Sequence, residues 1–122
     1  MVNHISNLKK ARKLFLDLLG DHITNDDLVE DLFQLKIIFK TGQIVYIRYN
    51  EFNEYGYQIL FSTKKNDSAR FDNFDDRWEV STKPHHFHKR GGNNVIKSSM
   101  NGEPTHDIHL LIKYLKEEIN FP

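Results

Sequence analysis

Between residues 33 and 61 apolar side chains recur at every second position, and this pattern constrains the chain more than any other. Phe33, Leu35, Ile37 and Phe39 alternate with Gln34, Lys36 and Lys40, as in a strand with one buried face. Thr41-Gly42 marks a tight turn, and Ile44 to Tyr49 is a second run rich in β-branched and aromatic residues. After Asn50 to Glu54, Tyr55, Tyr57, Ile59 and Phe61 form a third. A short fourth strand is expected around Ala69 to Phe71. Connections this short join antiparallel neighbours, so the strands form a meander.

Helical periods lie on either side. Ile5, Leu8, Ala11, Phe15, Leu18 and Leu19 make one stripe, with Gly20 as the expected C-cap. Ile23 to Glu30 reads as a polar connection in which Thr24 or Asn25 starts a helical turn. Near the other end Ile108, Leu111, Ile112, Leu115 and Ile119 make a second stripe, with Thr105 as its cap. The expected fold is α+β: an antiparallel β-meander of four to five strands flanked by N- and C-terminal helices, packed on one sheet face. A chain of 122 residues suits a single domain, 1–122.

Seventeen basic and seventeen acidic residues cancel, so nucleic-acid binding needs a local patch. The absence of cysteine excludes disulfides and thiolate metal sites. No apolar run matches a signal peptide or a membrane span, and a cytoplasmic protein without a membrane partner is expected.

Chemistry concentrates in STKPHHFHKR, residues 81–90. In an extended chain His86 and His88 share one face, while His85 accompanies a core-directed Phe87. Two imidazoles on one face can divide general base and general acid roles, as RNA cleavage requires, with Lys89 and Arg90 close by for phosphate. They can instead bind a transition metal if Asp72, Asp75 or Asp76 adds a third ligand, although no spacing matches a known metal loop. A solvated loop is the bland alternative, but three histidines in four residues beside two cations favour function. Upstream, ARFDN (69–73) places Arg70 and Asp72 on one strand face. They can pair as a surface ion bridge, or the arginine can hold phosphate while the aspartate orients a histidine. Lys9, Lys10, Arg12 and Lys13 read as a solvated helix face. Most of Tyr46, Tyr49, Tyr55 and Tyr57 read as sheet packing, with one or two rings free to stack bases.

With ARFDN, then KPHHFHKR, then an amphipathic helix, the chain from Tyr57 onward resembles the TumE-like toxin family of prokaryotic toxin–antitoxin modules. The matching positions are Arg70, Asp72, Asn73, His85, His86 and His88. Phe74-Asp75-Asp76-Arg77 stands where the family's element usually continues with a small residue, proline and histidines. The resemblance implies a growth-inhibiting toxin, sequestered by a cognate antitoxin that binds DNA through a helix-turn-helix, and acting on RNA or translation. The combined expectation is a metal-independent endoribonuclease without cofactor. His86 and His88 are its acid/base pair, with His85 as substitute. Arg70 and Arg90 hold the scissile phosphate, Asp72 orients a histidine, and Asn73 and Lys89 contact substrate. The rival readings are a non-catalytic binding or adaptor protein and a metal-dependent nuclease.

Overall fold

The computed structural model describes residues 3–75 and 77–122. Helix α1 (His4–Leu19) leads into β1 (Ile23–Val29), β2 (Gln34–Phe39), β3 (Ile44–Tyr49), β4 (Tyr55–Leu60), β5 (Ser68–Asp72), β6 (His86–His88) and β7 (Val95–Lys97), and helix α2 (Pro104–Glu118) follows. The strands lie side by side in chain order and every neighbouring pair is antiparallel.

The α+β meander between two helices is the expected architecture, but it has seven strands rather than four or five. The added members are β1, β6 and β7. Ile23 to Glu30 is no helical turn: β1 pairs with β2 from Ile23↔Phe39 to Val29↔Gln34, with an irregularity near Thr24. Its polarity follows from its place at the sheet edge, and its core-side Asp26 is neutralised by Arg12 of α1 (Nε–Oδ2 2.5 Å). Strands β6 and β7 are three residues each, too short to display a period.

Asn3 caps α1 by accepting the Ser6 N–H (3.0 Å). Leu8, Ala11, Phe15 and Leu19 are buried, whereas Leu18 faces solvent. Gly20 is the C-cap residue of α1, as expected, but in right-handed rather than left-handed conformation. Its φ of −53° carries the chain into a 3₁₀ turn, Gly20–His22. Helix α2 begins at Pro104 with Glu103 as its N-cap residue, earlier in the chain than a Thr105 cap implies. Its stripe, Ile108, Leu111, Ile112, Leu115 and Ile119, is buried as expected.

Both helices cover the same sheet face. There Leu35, Ile37, Val45, Ile47, Tyr57 and Ile59 are fully buried. Phe71 and Phe87 stack with ring centroids 4.1 Å apart, and Tyr114 of α2 meets both edge-on at 5.4 Å. Asp107 anchors the start of α2. It is fully buried and accepts from Tyr57 Oη (2.6 Å), Gly102 N (2.7 Å) and Asn101 N (3.0 Å). Gly102 has a φ of +89°, and a Cβ there would come within 3.1 Å of the Tyr55 ring, so the turn into α2 needs glycine.

The opposite sheet face carries no helix among the described residues. Alternation turns Lys36, Tyr46, Arg48, Gln58 and Arg70 toward it, and Arg48, Gln58 and Arg70 are exposed.

Candidate active site on the open sheet face

The register of β5 against β6 sets Arg70 opposite His88 and Asp72 opposite His86, with Phe71 opposite Phe87 between them. Cross-strand partners project from the same face, so four polar side chains converge on the open side while both phenylalanines enter the core. Asp72 is the hub. Its Oδ1 accepts from the Phe74 N–H (3.1 Å) and lies 2.9 Å from His86 Nε2. Its Oδ2 lies 2.6 Å from Arg70 Nε and 3.8 Å from His88 Nε2. Although Arg70 is this close, Oδ2 is buried and no donor is well aligned on it.

His86 and His88 share a face yet differ in environment. The His86 side chain is 1% exposed, against 24% for His88. His86 Nδ1 sits 2.9 Å from the Pro84 carbonyl oxygen, so both of its nitrogens face acceptors. His88 Nε2 is 3.3 Å from Arg70 Nη2, a contact that calls for a bare, accepting nitrogen. Burial, and next the Arg70 cation, hold the His88 pKa below the usual histidine value, against the pull of Asp72. Trp78 covers the pair, 5.9 Å from His86 and edge-on to His88 at 5.4 Å, and Arg77 lies over its ring at 4.6 Å.

Two hollows flank the cluster and meet at Gln58 and Arg70. One, of about 180 Å³, is bounded by Ser68, His88, Lys89 and Gly92. The other, of about 120 Å³, is bounded by Tyr46, Arg48, Gly56 and Phe74. Together they form a polar, cation-lined path across the sheet.

The remaining candidates stand apart. His85 faces away from His86, stacks on Tyr55 (5.7 Å), and its Nδ1 shares a hydrogen bond with the Tyr55 hydroxyl (3.0 Å), which burial keeps protonated. Asn73 is committed to the backbone: its Oδ1 accepts from Tyr55 N (2.9 Å) and its Nδ2 donates to Asn53 O (3.0 Å). Arg90 pairs with Asp67 (2.7 Å) and covers the Phe61 ring at 3.9 Å, and that ring in turn meets Tyr114 of α2. Arg90 therefore serves the helix-bearing side. Lys89 is exposed at the rim of the larger hollow. Asp75 pairs with Arg77 (3.1 Å) and does not join the histidines, and Asp76 lies outside the described residues. Sequence reasoning gave Trp78 no role in the site, and it did not single out Lys36, Arg48 or Gln58. Their off-core positions in alternating strands were a usable signal.

In fold and site together, this is a helix-backed antiparallel sheet with a charged histidine cluster on its uncovered face. The chain belongs to the TumE toxin family, whose model, described as toxin TumE, matches residues 11–119. The match thus extends well beyond the second half of the chain, into α1. Membership makes the protein a toxin of a toxin–antitoxin system, with a cognate antitoxin as its partner. No curated protein and no solved structure matches it. Among the described residues no helix is long and apolar enough to cross a membrane.

Proposed function

We propose that this toxin is a metal-independent endoribonuclease and that its centre is the Arg70–Asp72–His86–His88 cluster. The observation that carries the reading is the pairing of one partly exposed, easily deprotonated histidine with an arginine on an otherwise open, cation-lined face. His88 Nε2 takes the proton of a ribose 2′-hydroxyl, and the freed oxygen attacks the adjacent phosphorus. Arg70, 49% exposed at its side chain, holds the phosphate oxygens as charge develops. The bond to the 5′ oxygen breaks, leaving a 2′,3′-cyclic phosphate, and that oxygen needs a proton. Within the cluster that proton is assigned to His86 as general acid, braced by Asp72, and Trp78 must move aside for the transfer. Lys89 at the rim supplies a further phosphate contact, while Tyr46 in the smaller hollow offers a ring for a base. His85, Asn73 and Arg90 have no part in this scheme. The antitoxin is proposed to be a helix-turn-helix DNA-binding protein, as the family resemblance implies.

The test is purified toxin incubated with RNA in EDTA, beside His88→Ala, His86→Ala and Arg70→Ala. Cleavage is expected to persist in EDTA, to leave cyclic-phosphate ends, and to fall about 10²–10⁴-fold in His88→Ala. Equal cleavage by wild type and His88→Ala would sink the assignment and favour a non-catalytic binding role. Loss of cleavage in EDTA would move the function to a metal-dependent nuclease.

A further inference from the structure

We propose that Asp72, His86 and His88 also form a site for a divalent transition-metal ion of the zinc class, and that occupation of this site switches the cleavage centre off. The proposal rests on the ribonuclease reading for its consequence, but not for the site itself.

Three features of the geometry point to it. First, one ligand atom from each of the three side chains lies within 4.8 Å of the other two. Imidazole nitrogens and a carboxylate oxygen bind such ions at about 2.0–2.2 Å, so neighbouring ligands stand roughly 3–3.5 Å apart and a small inward shift suffices. Secondly, the ligands are already oriented. His86 Nδ1–H donates to Pro84 O at 2.9 Å, which aims Nε2 at Asp72 Oδ1. A histidine that donates its far nitrogen to a backbone carbonyl has the usual support of a metal ligand. Thirdly, the centre of the group calls for a cation. Asp72 Oδ2 is buried without a well-aligned donor, and its other oxygen, Oδ1, lies 2.9 Å from His86 Nε2. An ion between the three ligands takes a lone pair from each imidazole, and any proton displaced from them leaves to solvent.

The ion would enter from the larger hollow, where His88 is reachable and water can complete the coordination shell. Two consequences follow from its charge. It competes with Arg70 for Asp72, because two cations cannot both sit against one carboxylate at low cost. It also takes the lone pair of His88 that would accept the ribose proton, so metal and catalysis exclude each other. Nitrogen and carboxylate ligands select zinc-like ions over magnesium, which prefers oxygen ligands and keeps its waters.

Binding is measured on the protein alone, by equilibrium dialysis with Zn(II) and by the visible spectrum of Co(II). Cleavage of RNA is then followed with and without Zn(II). One ion per chain is expected, with a Co(II) spectrum indicating nitrogen ligands. His88→Ala should weaken binding at least about tenfold, since it removes a ligand outright. Arg70→Ala should bind zinc more tightly than wild type, although it loses RNA cleavage, and circular dichroism confirms that each variant is folded. Stoichiometric Zn(II) should abolish cleavage, and a chelator should restore it. Absence of binding, or equal binding by His88→Ala, overturns the site. Zn(II)-stimulated cleavage overturns the switch. A toxin that binds zinc at these residues but cleaves no RNA refutes the ribonuclease reading and leaves the site standing.

Discussion

At the scale of single residues, the proton affinity of His88 is set by what surrounds it. Burial and the Arg70 cation disfavour its charged form, Asp72 opposes them, and the balance lies below the ordinary value of 6.5. Removing the arginine should therefore let His88 titrate at higher pH. An NMR titration of the His88 ring in Arg70→Gln is expected to show its midpoint above that of wild type, and an unchanged midpoint would refute the assigned cause. The same shift makes folding pH-dependent. Because the folded pKa is depressed, the unfolded chain binds this proton more readily. The contribution of His88 to stability is thus complete above about 6.5 and declines as pH falls toward the folded value. His88→Gln should flatten that part of the stability curve in urea denaturation between neutral and mildly acidic pH. Much at this scale could be read beforehand. Alternation placed Arg70 with Asp72, His86 with His88, and Phe87 in the core. It could not reveal that His86 is sealed, because its cover, Trp78, arrives from an aperiodic loop.

At the scale of elements, the start of α2 depends on one buried carboxylate. Asp107 receives two backbone N–H groups from Asn101 and Gly102, as well as the Tyr57 hydroxyl, which bonds Tyr49 at 2.9 Å in turn. Asp107→Ala leaves several buried donors without acceptors and should cost about 3 kcal/mol or more. Tyr57→Phe removes one donor and should cost about 1–2 kcal/mol. Chemical denaturation of both variants checks the order, and a milder effect of Asp107→Ala would contradict the account. The residue escaped notice because its sequence neighbours present it as an ordinary first-turn acid. Long periodic elements were legible; β1, β6 and β7 were not. Edge polarity disguised β1, and β6 and β7 exist through pairing with β5 rather than through any pattern of their own.

For the whole molecule, the formal charge of zero conceals an asymmetry. Helices occupy one face of the sheet, while Lys36, Arg48, Arg70 and Lys97 project from the other, beside Tyr46, against the exposed Asp27 opposite Lys36 and Asp72 paired with Arg70. Such a face can attract phosphate without long-range steering. Combined Lys36→Glu and Arg48→Glu substitutions, well away from His88, should weaken RNA binding. They should also make the salt dependence shallower, by about 0.7 for each phosphate that is no longer neutralised. The cost to thermal stability should come from position 36, where a glutamate faces Asp27 and loses the Tyr46 ring, whereas Arg48 is exposed and among the described residues bonds the half-buried Gln34. Filter binding at several salt concentrations decides the matter, and an unchanged slope would rule the open face out as the RNA path. The strand order has a further consequence, in time rather than space. Because each strand pairs with its successor, the sheet can be laid down strand by strand as synthesis proceeds, and the longest connection to close is the 73–85 loop before β6. Arg70 and Asp72 then wait at a growing edge until β6 is added. A chain that stalls before residue 86 holds neither histidine of the cluster, so under the proposed mechanism an unfinished toxin is an unarmed one.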